Sequence, residues 1–174
     1  MRLLGAILLV AATSYMGFAR AVEVRRKPAY LRMIAGALTL LKHEIVAKSS
    51  DLPNAVSHVS VHCADRIRPF FYSVSSKIEN AYGSFAEVWA EEISGLSGLN
   101  KQEMDLLEQL GLHLGKYDAE SQKNALDQCI DSFLSLADEA SCDARRYGRL
   151  YAGIGLTIGS MLAVALYEED GLGR

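Results

Sequence analysis

Apolar positions follow two different patterns along the chain. At each end lies a run without a single charge: LLGAILLVAATSYMGFA from Leu3 to Ala19 and LYAGIGLTIGSMLAVAL from Leu150 to Leu166. Each is 17 residues long, near the short end of what crosses a hydrocarbon core of about 30 Å. Between them the apolar residues recur at steps of three and four, which marks one face of an α-helix. Leu31, Ile34, Leu38, Leu41 and Ile45 predict a helix over about 29–47, with Pro28 at its start, where the missing N–H costs nothing. Val59 and Cys63 mark the inner face of a short helix over 54–66. Phe70, Val74 and Ile78 follow on a helix opened by Pro69, and Phe85, Val88, Trp89 and Ile93 lie on the next. Ser94 to Asn100, SGLSGLN, reads as a loop.

Asn100 with Glu103 three residues on forms a capping box for a helix carrying Met104, Leu107, Leu110 and Leu114. Asp118 caps the last and longest helix, whose face is Ala125, Cys129, Phe133, Leu136, Ala140, Ala144 and Tyr147. No alternating run of β-branched residues competes with this reading. The expected fold is all-α: a compact bundle of about six helices flanked by N- and C-terminal transmembrane helices. Its expected parts are an anchor over 1–21, a helical bundle over 22–149, a second membrane helix over 150–167 and a polar tail over 168–174.

Charge orients the arrangement. Arg20, Arg25, Arg26 and Lys27 follow the first run, while Arg145, Arg146 and Arg149 precede the second. Bases on the inner flank of both runs predict a cytoplasmic middle with both termini outward. They also favour a retained anchor over a cleaved signal peptide, although Ala19-Arg20-Ala21 has the small-x-small form of a cleavage site. Residues 29–149 hold 12 Lys/Arg against 17 Asp/Glu, a net of −5, which removes the basic face that nucleic acid requires. The chain is 50% hydrophobic, with a mean hydropathy of +0.10. Three cysteines, Cys63, Cys129 and Cys142, in no close-spaced pair, fit a reducing compartment rather than a disulfide scaffold.

Candidate chemistry is sparse. His58, His62 and Asp65 stand at i, i+4 and i+7, a spacing that can place metal ligands on one helix face. They define the alternative reading, a small metal-dependent membrane enzyme. The glutamate of a zinc-protease helix is missing, since Val59 follows the first histidine. Glu91, Glu92, Glu103, Asp105 and Glu108 read as solvated carboxylates rather than an acid–base pair. Lys116 sits in no phosphate loop, and no small-molecule substrate or cofactor is expected. Gly155-x-x-x-Gly159 gives the second apolar run a smooth packing surface, with Thr13-x-x-x-Gly17 as its counterpart in the first. Gly111 and Gly115 repeat the spacing in the middle, where close helix contact competes with C-capping.

Taken in order, LLGAILLVAATSYMGF, YLRMIAGALTLLKHEI (Tyr30 to Ile45), Trp89, LEQLGLHLGKYDAESQKNAL (Leu107 to Leu126) and LYAGIGLTIGSML resemble the stage III sporulation protein AB family. The likeness covers nearly the whole chain and is most specific at Leu110-Gly111, Leu114-Gly115, Asp118 and Gln122. It implies a mother-cell membrane protein of a secretion-like complex joined to the forespore. Its soluble part would resemble the helical cytoplasmic domain of type II secretion F proteins. The implied partners are the complex's ATPase, stage III sporulation protein AA, and other stage III sporulation membrane proteins. The residues expected to meet them are Arg32, Lys42, His43, Glu44, Asp118 and Gln122. His43 departs from the family, which often carries an acid near that position.

Overall fold

A computed structural model describes residues 26–80, 83–116 and 118–171, with the backbone alone over 147–171. Two compact units divide the chain: Lys27–Asp138, and a second comprising Met1–Arg26 with Glu139–Arg174. Every regular element among the described residues is helical. Helix α1 covers 26–42 and runs into a π-turn at His43–Ala47. Then come α2 (Leu52–His62), α3 (Arg68–Glu79), α4 (Phe85–Ser94), α5 (Lys101–His113) and α6 (Ala119–Gly171). Within Lys27–Asp138, α2 packs on α3, α3 on α4 and α4 on α5.

The helix boundaries follow from local chemistry. Pro53 and Pro69 sit in the first turns of α2 and α3, where their missing N–H groups have no partner to lose. Ser84 and Glu87 form a reciprocal capping box at α4, and Asn100 and Glu103 form another at α5. Gly115, at φ +81°, takes the left-handed conformation just past α5. At α6 the Asp118 carboxylate accepts from the Ser121 N–H and hydroxyl, which holds it below the usual aspartate range. The end of α1 departs from the expected regular helix. Its π-turn closes with Ser50 N–H bonded to the Glu44 carbonyl, and Ser49 is left-handed at φ 51°. The wider turn carries Glu44 into the interior beside Ile45.

Leu31, Ile34, Leu38, Leu41 and Ile45 are all buried along α1, as their spacing predicts. On α6 the inward face is turned slightly from the expected one. Leu126, Cys129, Ile130, Phe133 and Ala137 are buried, whereas Ala125 and Leu136 are only half-buried.

At the centre lies Trp89, fully buried. Phe70 and Phe71 meet its ring edge-on at 4.9 and 6.0 Å between centroids, and Phe85 stacks on it at 5.3 Å. Its indole N–H donates to the Leu107 carbonyl at 2.8 Å. The ring lies so close to α5 that a Cβ at Gly111 would stand 2.3 Å from Trp89 Cδ1. Gly111 thus supplies close helix contact, while Gly115 ends the helix.

Among the described residues no helix is long and apolar enough to cross a membrane. The first apolar run, 3–19, lies outside them. The second, 150–166, lies in the helical backbone of α6, with its side chains outside the described set. Gly155 and Gly159 share that stretch, so their predicted packing also lies outside it. The expected tail is helical as far as Gly171.

Gly111→Ala is expected to destabilise the chain by about 1–3 kcal/mol, the cost of overpacking, even though alanine favours helix. Gly36→Ala, whose added Cβ meets nothing within 4 Å, is expected to stabilise it by up to about 1 kcal/mol. Thermal unfolding of the full chain in detergent reads both, and effects of the same sign would contradict the seat for Trp89.

Candidate functional site

Two ion pairs lay α6 antiparallel along α1. Arg32 meets Asp138 at 2.9 Å and Lys42 meets Asp127 at 2.6 Å. Lys27 and Asp138, the first and last residues of the bundle, therefore lie toward one end of it. Lys42 and the start of α6 lie toward the other. Exposed His43 follows Lys42 directly, exposed Asp118 immediately precedes α6, and half-buried Gln122 lies in its first turn. Gln122 stands about 8 Å along the helix axis from Asp127. Four of the six candidate partner residues, Lys42, His43, Asp118 and Gln122, thus gather at the far end. Arg32 is at the near end.

Glu44 is the exception, and the expectation of a surface carboxylate there is corrected. It is buried, because the π-turn rotates it inward, and its Oε1 meets Lys48 Nζ at 2.7 Å and His58 Nδ1 at 3.0 Å. The Lys48 hydrogen bond holds this carboxyl below the usual glutamate range, helped by His58 and His43 and opposed by burial. Its work is internal: it pins the end of α1 to α2.

Glu103 is also corrected. Its spacing suggested a solvated face, yet it is among the most buried side chains. One oxygen accepts from the Asn100 N–H, closing the capping box, and also from Lys27 Nζ. Lys27 donates as well to the Gly98 carbonyl. Beside this pair the Arg66 guanidinium lies 4.1 Å over the Tyr30 ring. Burial pushes the Tyr30 phenol up, against the lowering pull of Arg66. These contacts bind the start of α1 to the α4–α5 loop and to the α2–α3 turn. Sequence reasoning missed them because their partners are 36 to 76 residues apart.

The metal reading fails on geometry. His58 and His62 stack face to face, 4.1 Å apart, rather than converging on a point. His58 Nδ1 is taken by Glu44, His62 Nδ1 by the His58 carbonyl, and Asp65 by Arg68 at 2.7 Å. No group of three metal-ligating side chains forms among the described residues. Nor is there an activated thiol in the core: burial pushes Cys129 up to about 12 and raises Cys63 as well. Glu91 and Glu92, at 2.9 and 2.7 Å, share Lys77, which ties α4 to α3. No buried side-chain polar atom among the described residues lacks a partner.

Lys27→Met is expected to cost about 3 kcal/mol, because it strands a buried carboxylate, with the partial exposure of Lys27 trimming the figure. Adding Glu103→Gln should recover much of that, since glutamine keeps the capping box. Chemical denaturation checks both. Equal losses in the single and double variants would show that the pair is not coupled.

Three comparisons bear on identity. The sequence pattern of the family described as stage III sporulation protein AB matches residues 2–167. Stage III sporulation protein AB of Bacillus subtilis (strain 168) is 24% identical over 169 residues, 95% of this chain and 99% of the relative. A solved structure of stage III sporulation protein AB superposes with a TM-score of 0.62 at 22% identity, covering 69% of this chain and 97% of that one. At that identity the structural likeness speaks for the fold, and the family pattern, spanning nearly all of the chain, settles the membership. This chain belongs to the stage III sporulation protein AB family.

Proposed function

We propose that this protein is a membrane-held platform in the secretion-like complex between mother cell and forespore, coupling the complex's ATPase to its membrane rings. Family membership gives it a noncatalytic role in sporulation. Both apolar runs are transmembrane helices, the bundle stands in the mother-cell cytoplasm, and its far end receives stage III sporulation protein AA. The bundle has the character of the type II secretion F domain, and its near end is held among other stage III sporulation membrane proteins.

The observation that carries the proposal is the division of labour between the two ends of the bundle. At the near end the pair of buried Glu103 with half-buried Lys27 and the Arg66–Tyr30 stack lock the start of α1, where the chain comes in. At the far end Lys42, His43, Asp118 and Gln122 lie at or near the surface. A platform requires a stiff body between attachment and docking surface. The buried side-chain polar atoms described are all partnered, which supplies that stiffness.

The test places a photo-crosslinking residue at His43, at Gln122, or at exposed Tyr72 in the full chain, in membranes of sporulating cells. Crosslinks from positions 43 and 122 to stage III sporulation protein AA, with none from position 72, are the expected outcome. If no far-end position captures the ATPase while the complex is intact in the same membranes, the coupling role is wrong.

A further inference from the structure

The α2–α3 turn is carried at the end of the bundle where the chain enters and leaves. Arg66, in that turn, lies over Tyr30 one turn into α1, and its Nη2 would be 3.5 Å from a Cβ at Gly98. Gly98 in turn accepts from Lys27. Arg32 and Asp138 close the same end from α1 and α6. The turn therefore sits beside the first and last residues of the bundle.

Its surface differs from the rest. Tyr72 at 67% and Val61 at 66% are the most exposed of the large hydrophobic side chains described. Val61 belongs to the last turn of α2 and Tyr72 to the second turn of α3, so each stands within about 6 Å of the connection along its helix axis. Between them Ala64, Arg66, Arg68 and Pro69 are also exposed. The one acid in the turn, Asp65, is paired with Arg68. Arg68 also donates to the Cys63 carbonyl, while Arg66 has its stack on Tyr30, so an aromatic and an aliphatic side chain flank a turn whose two arginines and one aspartate leave a net charge of +1.

We infer that this turn rests on an anionic bilayer surface, as a third attachment beside the two anchors. The inference rests on the anchored reading proposed above. Tyr72 suits a water–bilayer boundary, where a phenol buries its ring and keeps its hydroxyl wet, and the net positive turn beside it suits anionic headgroups. Position selects the bilayer over another occupant. Only eight residue steps separate Ala19, the end of the first charge-free run, from Lys27. Even fully extended that is no more than about 28 Å, so on the anchored reading the bilayer is within that reach of this end. Arg20, Arg25 and Arg26 against the single acid Glu23 leave that short link net positive, and an anionic leaflet attracts it.

The experiment uses the full chain in lipid nanodiscs made with brominated phosphatidylcholine, alone or mixed with phosphatidylglycerol. Bromine quenches a nearby indole. Two variants are compared, Tyr72→Trp at the exposed turn and Leu9→Trp in the first run, against the buried native Trp89. The indole from Tyr72→Trp is expected to lose emission in brominated discs, more so with phosphatidylglycerol and less at high salt. Trp89 should keep its emission. Quenching of the Leu9→Trp indole without any at position 72 would overturn the inference while leaving the anchor in place. Shielding of position 72 from aqueous iodide only in native membranes, and not in discs, would also overturn it and assign the turn to a protein. An unquenched Leu9→Trp indole would instead fell the anchored reading, and the third attachment with it.

Discussion

The indole of Trp89 rests on the bare backbone of α5, and the arrangement of four helices depends on that contact. A ring can come this close only where the facing residue lacks a Cβ, and Gly111 is that residue. The indole N–H is spent on the Leu107 carbonyl one turn earlier, so α4 and α5 are fixed both in depth and in register. Phe70 and Phe71 reach the same ring from α3, and α2 packs in turn on α3. Around this apolar centre two buried carboxylates do complementary work. Glu103 ties the start of α1 to the α4–α5 loop, and Glu44 ties its end to α2. Removing one partner from either would leave a charge in the interior, so such pairs tolerate little independent movement.

Much of this was legible in the sequence, and the limit falls where contacts become nonlocal. The α1 stripe from Leu31 to Ile45 is a matter of spacing, and all five of its residues are buried. The Asn100–Glu103 capping box is a matter of four consecutive residues, and it forms as read. The π-turn was not legible, because nothing in HEIVA breaks the α-helical rhythm. Only tertiary packing against α2 explains why a glutamate turns inward there. Glu103 shows the same limit: its role at the cap is local, but its burial requires Lys27 from 76 residues away. Gly111 could be read as either a packing or a capping glycine until Trp89, 22 positions earlier, was placed upon it. Of the six candidate partner residues, Glu44 proved internal. The other five remain at or near the surface, at two ends that only the pairing of α1 with α6 distinguishes.

The physical character that emerges suits a part that holds others in place. Burial raises the thiols of Cys63 and Cys129, His58 lies against His62 and Glu44, and the buried polar atoms described are all partnered. Such an interior transmits displacement as a body. The platform role proposed above requires a body of that kind.

Native-state hydrogen exchange of the full chain in nanodiscs tests most directly whether the Trp89 seat makes residues 27–138 one cooperative body. The slowest amides of α1, α3, α4 and α5 are expected to share a single opening free energy, and Gly111→Ala to lower all of them together. If α4 and α5 open at a lower free energy than α1, and the substitution affects them alone, the bundle is two bodies and the account of it as one rigid platform fails.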